Sequence, residues 1–105
     1  MGKDKLLRFE AIKSFSNVYE PVFREPFPIQ GNWRSEVFKN DHPILLELGC
    51  GKGEYSVGLG RKYPEKNFIG VDLKGNRIYI GAKDALETNL TNVAFLRTRI
   101  DFILD

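Results

Sequence analysis

Cysteine is nearly absent from these 105 residues: Cys50 stands alone, so no internal disulfide can form and no second thiol suggests a metal or redox pair. Set between Gly49 and Gly51, it reads as a small space-filling residue. His42 is likewise the single histidine, and just before Pro43 it reads as a loop residue, with no companions for a metal site or a general base. No apolar run approaches the roughly 20 residues that span a bilayer. Nor is Met1-Gly2-Lys3-Asp4-Lys5 followed by an apolar stretch of the kind a secretory signal carries. A soluble, cytoplasmic protein without membrane or metal partners is therefore expected. Charge of one sign is lacking too. The net charge is +2, and the first forty residues intersperse seven Lys or Arg with five Asp or Glu, so charge alone does not announce nucleic acid. With 42% hydrophobic and 29% charged residues the chain is neither disordered nor fibrous. Its length suits one small domain, in which a fold built on a long sheet would be marginal.

What is present falls into two parts. From Lys5 to Tyr19 the residues Leu6, Phe9, Ile12, Phe15 and Tyr19 recur at helical steps, weakened late by Ser14, Ser16 and Asn17. Between Glu20 and Gly31, Pro21, Pro26 and Pro28 remove donors and break regularity, which predicts an extended connector. Asn32 offers a helix cap before Trp33–Lys39, and Asp41-His42-Pro43 closes that element. Residues 1–40 are thus expected to be an extension, and 41–105 the core.

Past Pro43 the alternation sharpens. Ile44-Leu45-Leu46-Glu47-Leu48 is a short apolar run between Pro and a glycine turn, the pattern of a strand buried on both faces. Glu54–Lys62 reads as a helix with Tyr55, Leu59 and Tyr63 on one side, stopped by Pro64. Asn67–Leu73 reads as a second strand, and Asn76–Leu90 as a helix with Ile80, Leu86 and Leu90 in its apolar stripe. Asn92–Arg97 reads as a third strand. Strand, helix, strand, helix, strand predicts an α/β fold, a parallel sheet with flanking helices. Three strands are half of a doubly wound sheet, and Ile103-Leu104-Asp105 falls inside what reads as the next element, so a truncated chain with an unfinished, self-associating sheet edge is expected.

Glu47-Leu48-Gly49-Cys50-Gly51-Lys52-Gly53 joins the first of these strands to its helix, where open α/β sheets bind ligands. Gly49, Gly51 and Gly53 allow a tight turn and close approach of a ligand to the backbone. A dinucleotide fingerprint, G-x-G-x-x-G, would place its last glycine at position 54, which is Glu54. A carboxylate on the first helical turn repels a pyrophosphate. An acidic-x-G-x-G-x-G loop instead suits a ligand with cationic ammonium and sulfonium groups and no phosphate, and Glu47 complements that charge. Asp72, ending the second strand, can accept both hydroxyls of an adenosyl ribose. Nucleotide-binding dehydrogenases use the same device, so Asp72 alone does not choose between the two classes.

Pro43 to Tyr55, then Tyr63-Pro64-Glu65-Lys66-Asn67-Phe68-Ile69-Gly70-Val71-Asp72, then Asn92-Val93, together resemble bacterial tRNA (guanine-N7)-methyltransferases over roughly residues 40 to 100. The resemblance implies a Rossmann-like class I methyltransferase fold. It also implies S-adenosyl-L-methionine as cofactor, and methyl transfer to N7 of a guanine in the variable loop of tRNA. It assigns Glu47, Gly49, Gly51, Gly53 and Asp72 to the cofactor. Near the adenine, family members carry an acidic residue where this chain has Thr98-Arg99-Ile100; Asp101 comes slightly late, and Arg99 matches by position alone. The family's Pro-Asp-Pro segment and its catalytic and tRNA-contacting residues lie beyond Asp105. No catalytic residue is assigned, and the chain by itself is expected to be inactive.

Other methyltransferases, a dehydrogenase-type nucleotide domain, and a non-catalytic binding module that pairs through its unfinished sheet edge remain the rival readings. Lys52, Lys74, Arg77 and Lys83 follow strand ends where tRNA phosphates would pass, although such residues are more often solvated surface. Trp33, Phe23 and Phe27 have the rings to stack on RNA bases, but aromatics among prolines more often dock an extension onto its own core.

Overall fold

The computed structural model describes residues 2–21 and 31–99. The connector with Pro26, Pro28, Phe23 and Phe27 therefore lies outside the described residues, as do Asp101 and the end at Ile103–Asp105. In chain order the elements are helix α1 (Gly2–Ile12), strand β1 (Val18–Tyr19), a π-helical turn (Trp33–Phe38), β2 (Ile44–Leu48), α2 (Glu54–Lys62), β3 (Asn67–Asp72), α3 (Gly75–Glu87) and β4 (Val93–Arg97).

β3 organises the sheet. All its residues but Asp72 are buried, because it has a parallel neighbour on each side: Ile69 pairs with Leu46 on β2, and Gly70 with Phe95 on β4. The order is β1-β4-β3-β2, a four-stranded parallel sheet. One face buries Phe68, Val93 and Phe95 beneath Val57 of α2, Ile78, Ala82 and Ala85 of α3, and Ile12 of α1. On the other, Ile69, Val71, Ala94 and Leu96 pack with Phe38, joined at the margin by Trp33, Val37 and Ile44.

Four sequence expectations are corrected. The Lys5–Tyr19 helix stops at Ile12, and Val18–Tyr19 turns back as a strand paired with Phe95 and Leu96, so part of the extension belongs to the sheet. The run Ile44–Leu48 is not buried on both faces. Among the described residues β2 has a neighbour only in β3, and Leu45, Leu46 and Leu48 are 41%, 50% and 51% exposed. The inward side of α3 is Ile78, Gly81, Ala82 and Ala85, whereas Leu86 is exposed; α2 likewise buries Ser56, Val57 and Gly60 and turns Tyr55 outward. Small residues face inward because the helices approach the sheet closely: a Cβ at Gly60 would stand 2.3 Å from Val93 Cγ2. Finally, Asn32 does not cap the π-helical turn through its side chain.

The amino end of the sheet is held by buried amides. The Asn92 Nδ2 reaches the carbonyls of Gly60, Tyr63 and Lys66 at 2.9, 3.2 and 2.9 Å, tying the end of α2 and its turn to the start of β4. Asn67, fully buried, donates to Asn40 Oδ1 at 2.7 Å and to the His42 carbonyl at 3.3 Å. Both amides satisfy backbone or side-chain groups that would otherwise be buried unpaired.

Candidate functional site

At the opposite, carboxyl end of the sheet the chain makes its tightest turn. Gly49, Gly51 and Gly53 all have positive φ, at 72°, 56° and 74°, a region that side chains with a Cβ enter at a cost of about 1–2 kcal/mol. The turn is anchored to β3, since the Gly49 and Cys50 amides both donate to the Val71 carbonyl, at 2.7 and 2.9 Å. Gly53 then starts α2, and Val57 N–H returns to its carbonyl at 2.9 Å.

Asp72 closes the loop from the neighbouring strand. Its Oδ2 accepts the Gly51 N–H at 2.8 Å and its Oδ1 the Lys74 N–H at 2.9 Å. The carboxylate thus bonds the turn that follows its own strand and also braces the glycine loop. Each carboxylate oxygen has a second lone-pair direction, so these two bonds leave acceptor capacity for ligand hydroxyls.

Glu47, the last but one residue of β2, accepts a hydrogen bond from Ser56 Oγ at 2.5 Å, a side-chain partner on the first turn of α2 rather than a loop amide. Its other oxygen, Oε2, is accessible and accepts no hydrogen bond among the described residues. Cys50 is buried under the loop, and its thiol is pushed up to about 12 by burial, reinforced by the negative Asp72 and Glu47. It remains a neutral thiol at ordinary pH, in keeping with a space-filling role.

The structure therefore brings Glu47, Gly49, Gly51, Gly53 and Asp72 to one edge of two adjacent strands. Arg99 is not among them: it lies exposed two residues past the end of β4, beyond β3 from the glycine loop. Arg97, at the end of β4, is engaged internally by Glu20 at 2.9 Å, the Leu73 carbonyl at 3.0 Å and the ring of Phe9 at 4.5 Å. Lys52, Lys74, Arg77 and Lys83 are exposed, with Lys83 over the Tyr79 ring. Trp33 meets Tyr19 edge to face at 5.2 Å, the docking expected of it.

Sequence reasoning missed two residues. Ser56 carried only a faint signal, a hydroxyl on the first helical turn after the loop. Phe95 carried none beyond its place in a strand, yet its ring lies under the loop, 2.6 Å from where a Cβ of Gly53 would stand. Among the described residues no group of three His, Cys, Asp or Glu side chains is arranged to hold a metal ion, and no helix is long and apolar enough to cross a membrane.

The family model described as "Putative methyltransferase" matches residues 41–105. The chain is 53% identical over 107 residues to the tRNA (guanine-N(7)-)-methyltransferase of Bacteroides thetaiotaomicron, an alignment covering 98% of this chain and 42% of that protein. It is 60% identical to the enzyme of the same name from Porphyromonas gingivalis, covering 88% of this chain and 40% of that one. The chain thus spans about two fifths of the length of these relatives. Among solved structures, PKMT2 from Rickettsia typhi in complex with AdoHcy is 26% identical with a TM-score of 0.51, covering 75% of this chain and 16% of that one. The kinase-methyltransferase WbdD is 21% identical with a TM-score of 0.54, covering 92% and 25%, and shares the fold.

Proposed function

The chain belongs to this methyltransferase family, and from that premise we propose that it carries the S-adenosylmethionine-binding portion of a tRNA (guanine-N7)-methyltransferase. The observation that carries the reading is the Gly51 N–H to Asp72 contact of 2.8 Å, which sets a ribose-binding carboxylate against an acidic-x-Gly-x-Gly-x-Gly loop at the carboxyl edge of a parallel sheet. The family match beginning at residue 41 supports taking 41–105 as the start of the cofactor domain, whose sheet Val18–Tyr19 of the 1–40 extension joins.

The residues present fit the adenosyl cofactor. A Cβ built at Gly49 or Gly51 meets nothing within 4 Å, so a ligand can approach that backbone. Glu47 offers an accessible carboxylate oxygen to a cation, and Asp72 retains lone pairs for ribose hydroxyls. Gly49, Gly51 and Gly53 shape the loop. Arg99, two residues past the end of β4 and one strand beyond Asp72, would lie toward the adenine.

When bound, the cofactor supplies an electrophilic methyl group whose carbon–sulfur electrons leave with the sulfur. N7 of a neutral guanine has a free lone pair and no proton to lose, so the attack requires no base. What this chain's residues contribute is binding and orientation, which supply much of the acceleration in such a displacement. A cytoplasmic location is part of this proposal, supported by the tRNA (guanine-N(7)-)-methyltransferase names of the bacterial relatives. These 105 residues alone are expected not to transfer labelled methyl to bulk tRNA.

Calorimetric titration of the chain with S-adenosylmethionine, S-adenosylhomocysteine and NAD tests the reading. Saturable binding of the first two, lost in Asp72→Ala, is the expected result. Binding of NAD with silence toward the adenosyl sulfur ligands would instead favour the dehydrogenase-type domain, against which Glu54 on the first turn of α2 argues.

The exposed leucines of β2 support a further element of the proposal, self-association through that edge. Sedimentation equilibrium should find dimers that Leu46→Lys dissociates, and a monomeric wild type would remove this element.

A further inference from the structure

We propose that Ser56 is a positioning residue for Glu47: its hydroxyl holds the carboxylate so that Oε2 meets the cationic methionyl end of S-adenosylmethionine. The inference rests on the reading of this loop as the cofactor site. Ser56 is only 1% exposed, on the third residue of α2 and on the side that faces the sheet. Alanine would pack there at least as well and would favour the helix. A buried hydroxyl is tolerated only with a partner, and the partner is Glu47 Oε1, which accepts its hydrogen bond at 2.5 Å.

A glutamate has three side-chain torsions, and left alone at the half-open edge of β2 its carboxylate would sample several orientations. The Ser56 bond fixes one oxygen and leaves the other accessible, so the negative charge is presented in one place. It also couples the carboxylate to the loop. Gly53 sets the start of α2, α2 carries Ser56, and Ser56 sets Glu47. Preorganisation of this kind lowers the ordering cost of binding a cation.

The test compares S-adenosylmethionine with adenosine, which lacks the methionyl end, by calorimetry on the wild-type chain, Ser56→Ala, Glu47→Gln and the double variant. Ser56→Ala should weaken S-adenosylmethionine about tenfold and leave adenosine within about twofold, a charge-positioning effect rather than a general one. In the Glu47→Gln background the Ser56→Ala change should then alter nothing further, since the charge it positions is gone. Ser56→Cys, nearly the same size with a weak donor, should behave as Ser56→Ala and stands in for it should that variant not fold. Unchanged S-adenosylmethionine affinity in a folded Ser56 variant would overturn the positioning role alone, as would equal weakening toward both ligands. A wild-type chain that binds neither ligand would defeat the site reading, and this proposal with it.

Discussion

The ring of Phe95 occupies the space that a side chain at Gly53 would enter, with Cε1 2.6 Å and Cζ 2.8 Å from the position of a Cβ. Gly70 and Gly81 make room for the same ring: a Cβ would lie 2.9 Å from Phe95 Cε1 at the first and 3.0 Å from its Cζ at the second. Phe95 is fully buried in β4. Three glycines from the loop, β3 and α3 therefore close around one aromatic ring, and the loop sits on a packed floor rather than on a cavity. Gly49 and Gly51, with open space at their Cβ positions, are constrained by backbone angle alone.

That difference predicts unequal costs for the same substitution. Gly49→Ala should lose about 1–2 kcal/mol from its left-handed backbone. Gly53→Ala should lose about 2–4 kcal/mol, because the clash with Phe95 adds an overpacking penalty to the same backbone strain. Urea unfolding at constant slope measures both. Adding Phe95→Leu should return part of the Gly53→Ala loss, and a double variant that is simply the sum of the two singles would show that the ring is not what Gly53 avoids.

The parallel α/β alternation was legible because β3 and β4 are continuous apolar runs and α2 begins and ends on a glycine loop and a proline turn. The cluster Glu47, Gly49, Gly51, Gly53 and Asp72 was legible because a strand-loop-helix junction has few geometries. β1 was not legible: Val18 and Tyr19 are too short a run to show any period, and only β4 makes them a strand. The exposure of β2 was hidden as well, since an apolar run reports what a strand can bury and not whether a neighbour is at hand. Ser56 escaped because a serine on a first helical turn commonly serves the helix itself. Asn67 and Asn92 fall within the segments that carry the family resemblance, yet they sit at the amino end of the sheet, away from the glycine loop. They mark the family through its architecture, not its chemistry.

Asn92→Ala should therefore destabilise the fold without altering the ligand site. Its amide reaches the carbonyls of Gly60, Tyr63 and Lys66 from a position only 8% exposed, and leaving such groups unpaired costs about 1–3 kcal/mol. The expected result is a lower urea midpoint with adenosyl-ligand affinity unchanged at temperatures where the variant is folded. A fall in affinity in the folded variant would mean that the two ends of the sheet are coupled.

Arg97 is one of the ties that hold the N-terminal segment on the sheet. It joins β4 to Glu20, to the Leu73 carbonyl and to the Phe9 ring of α1, while Ile12 of the same helix packs against the start of α3. Arg97→Ala removes the ion pair, the hydrogen bond and the ring contact together, about 1–2 kcal/mol in all for a partly exposed group. Hydrogen exchange should accelerate in α1 and β1 and stay slow in β3. Uniform acceleration through the sheet would show instead that the extension and the core unfold as one unit.

Cys50 contributes to the loss of stability at alkaline pH. The folded thiol is pushed up to about 12 from an ordinary value of 9.0, first by burial and then by Asp72 and Glu47. In the unfolded chain the thiol loses its proton near 9.0, while the folded chain keeps it until about 12. Stability from the protonated thiol is thus complete below the unfolded value and drains away as pH rises between the two. Removal of the thiol by Cys50→Ala should lower stability near neutral pH through lost packing. It should also flatten the decline above pH about 9, so that the wild-type advantage shrinks toward pH about 11. A wild-type advantage that stays constant from neutral to alkaline pH would show that the thiol is not held protonated under the glycine loop.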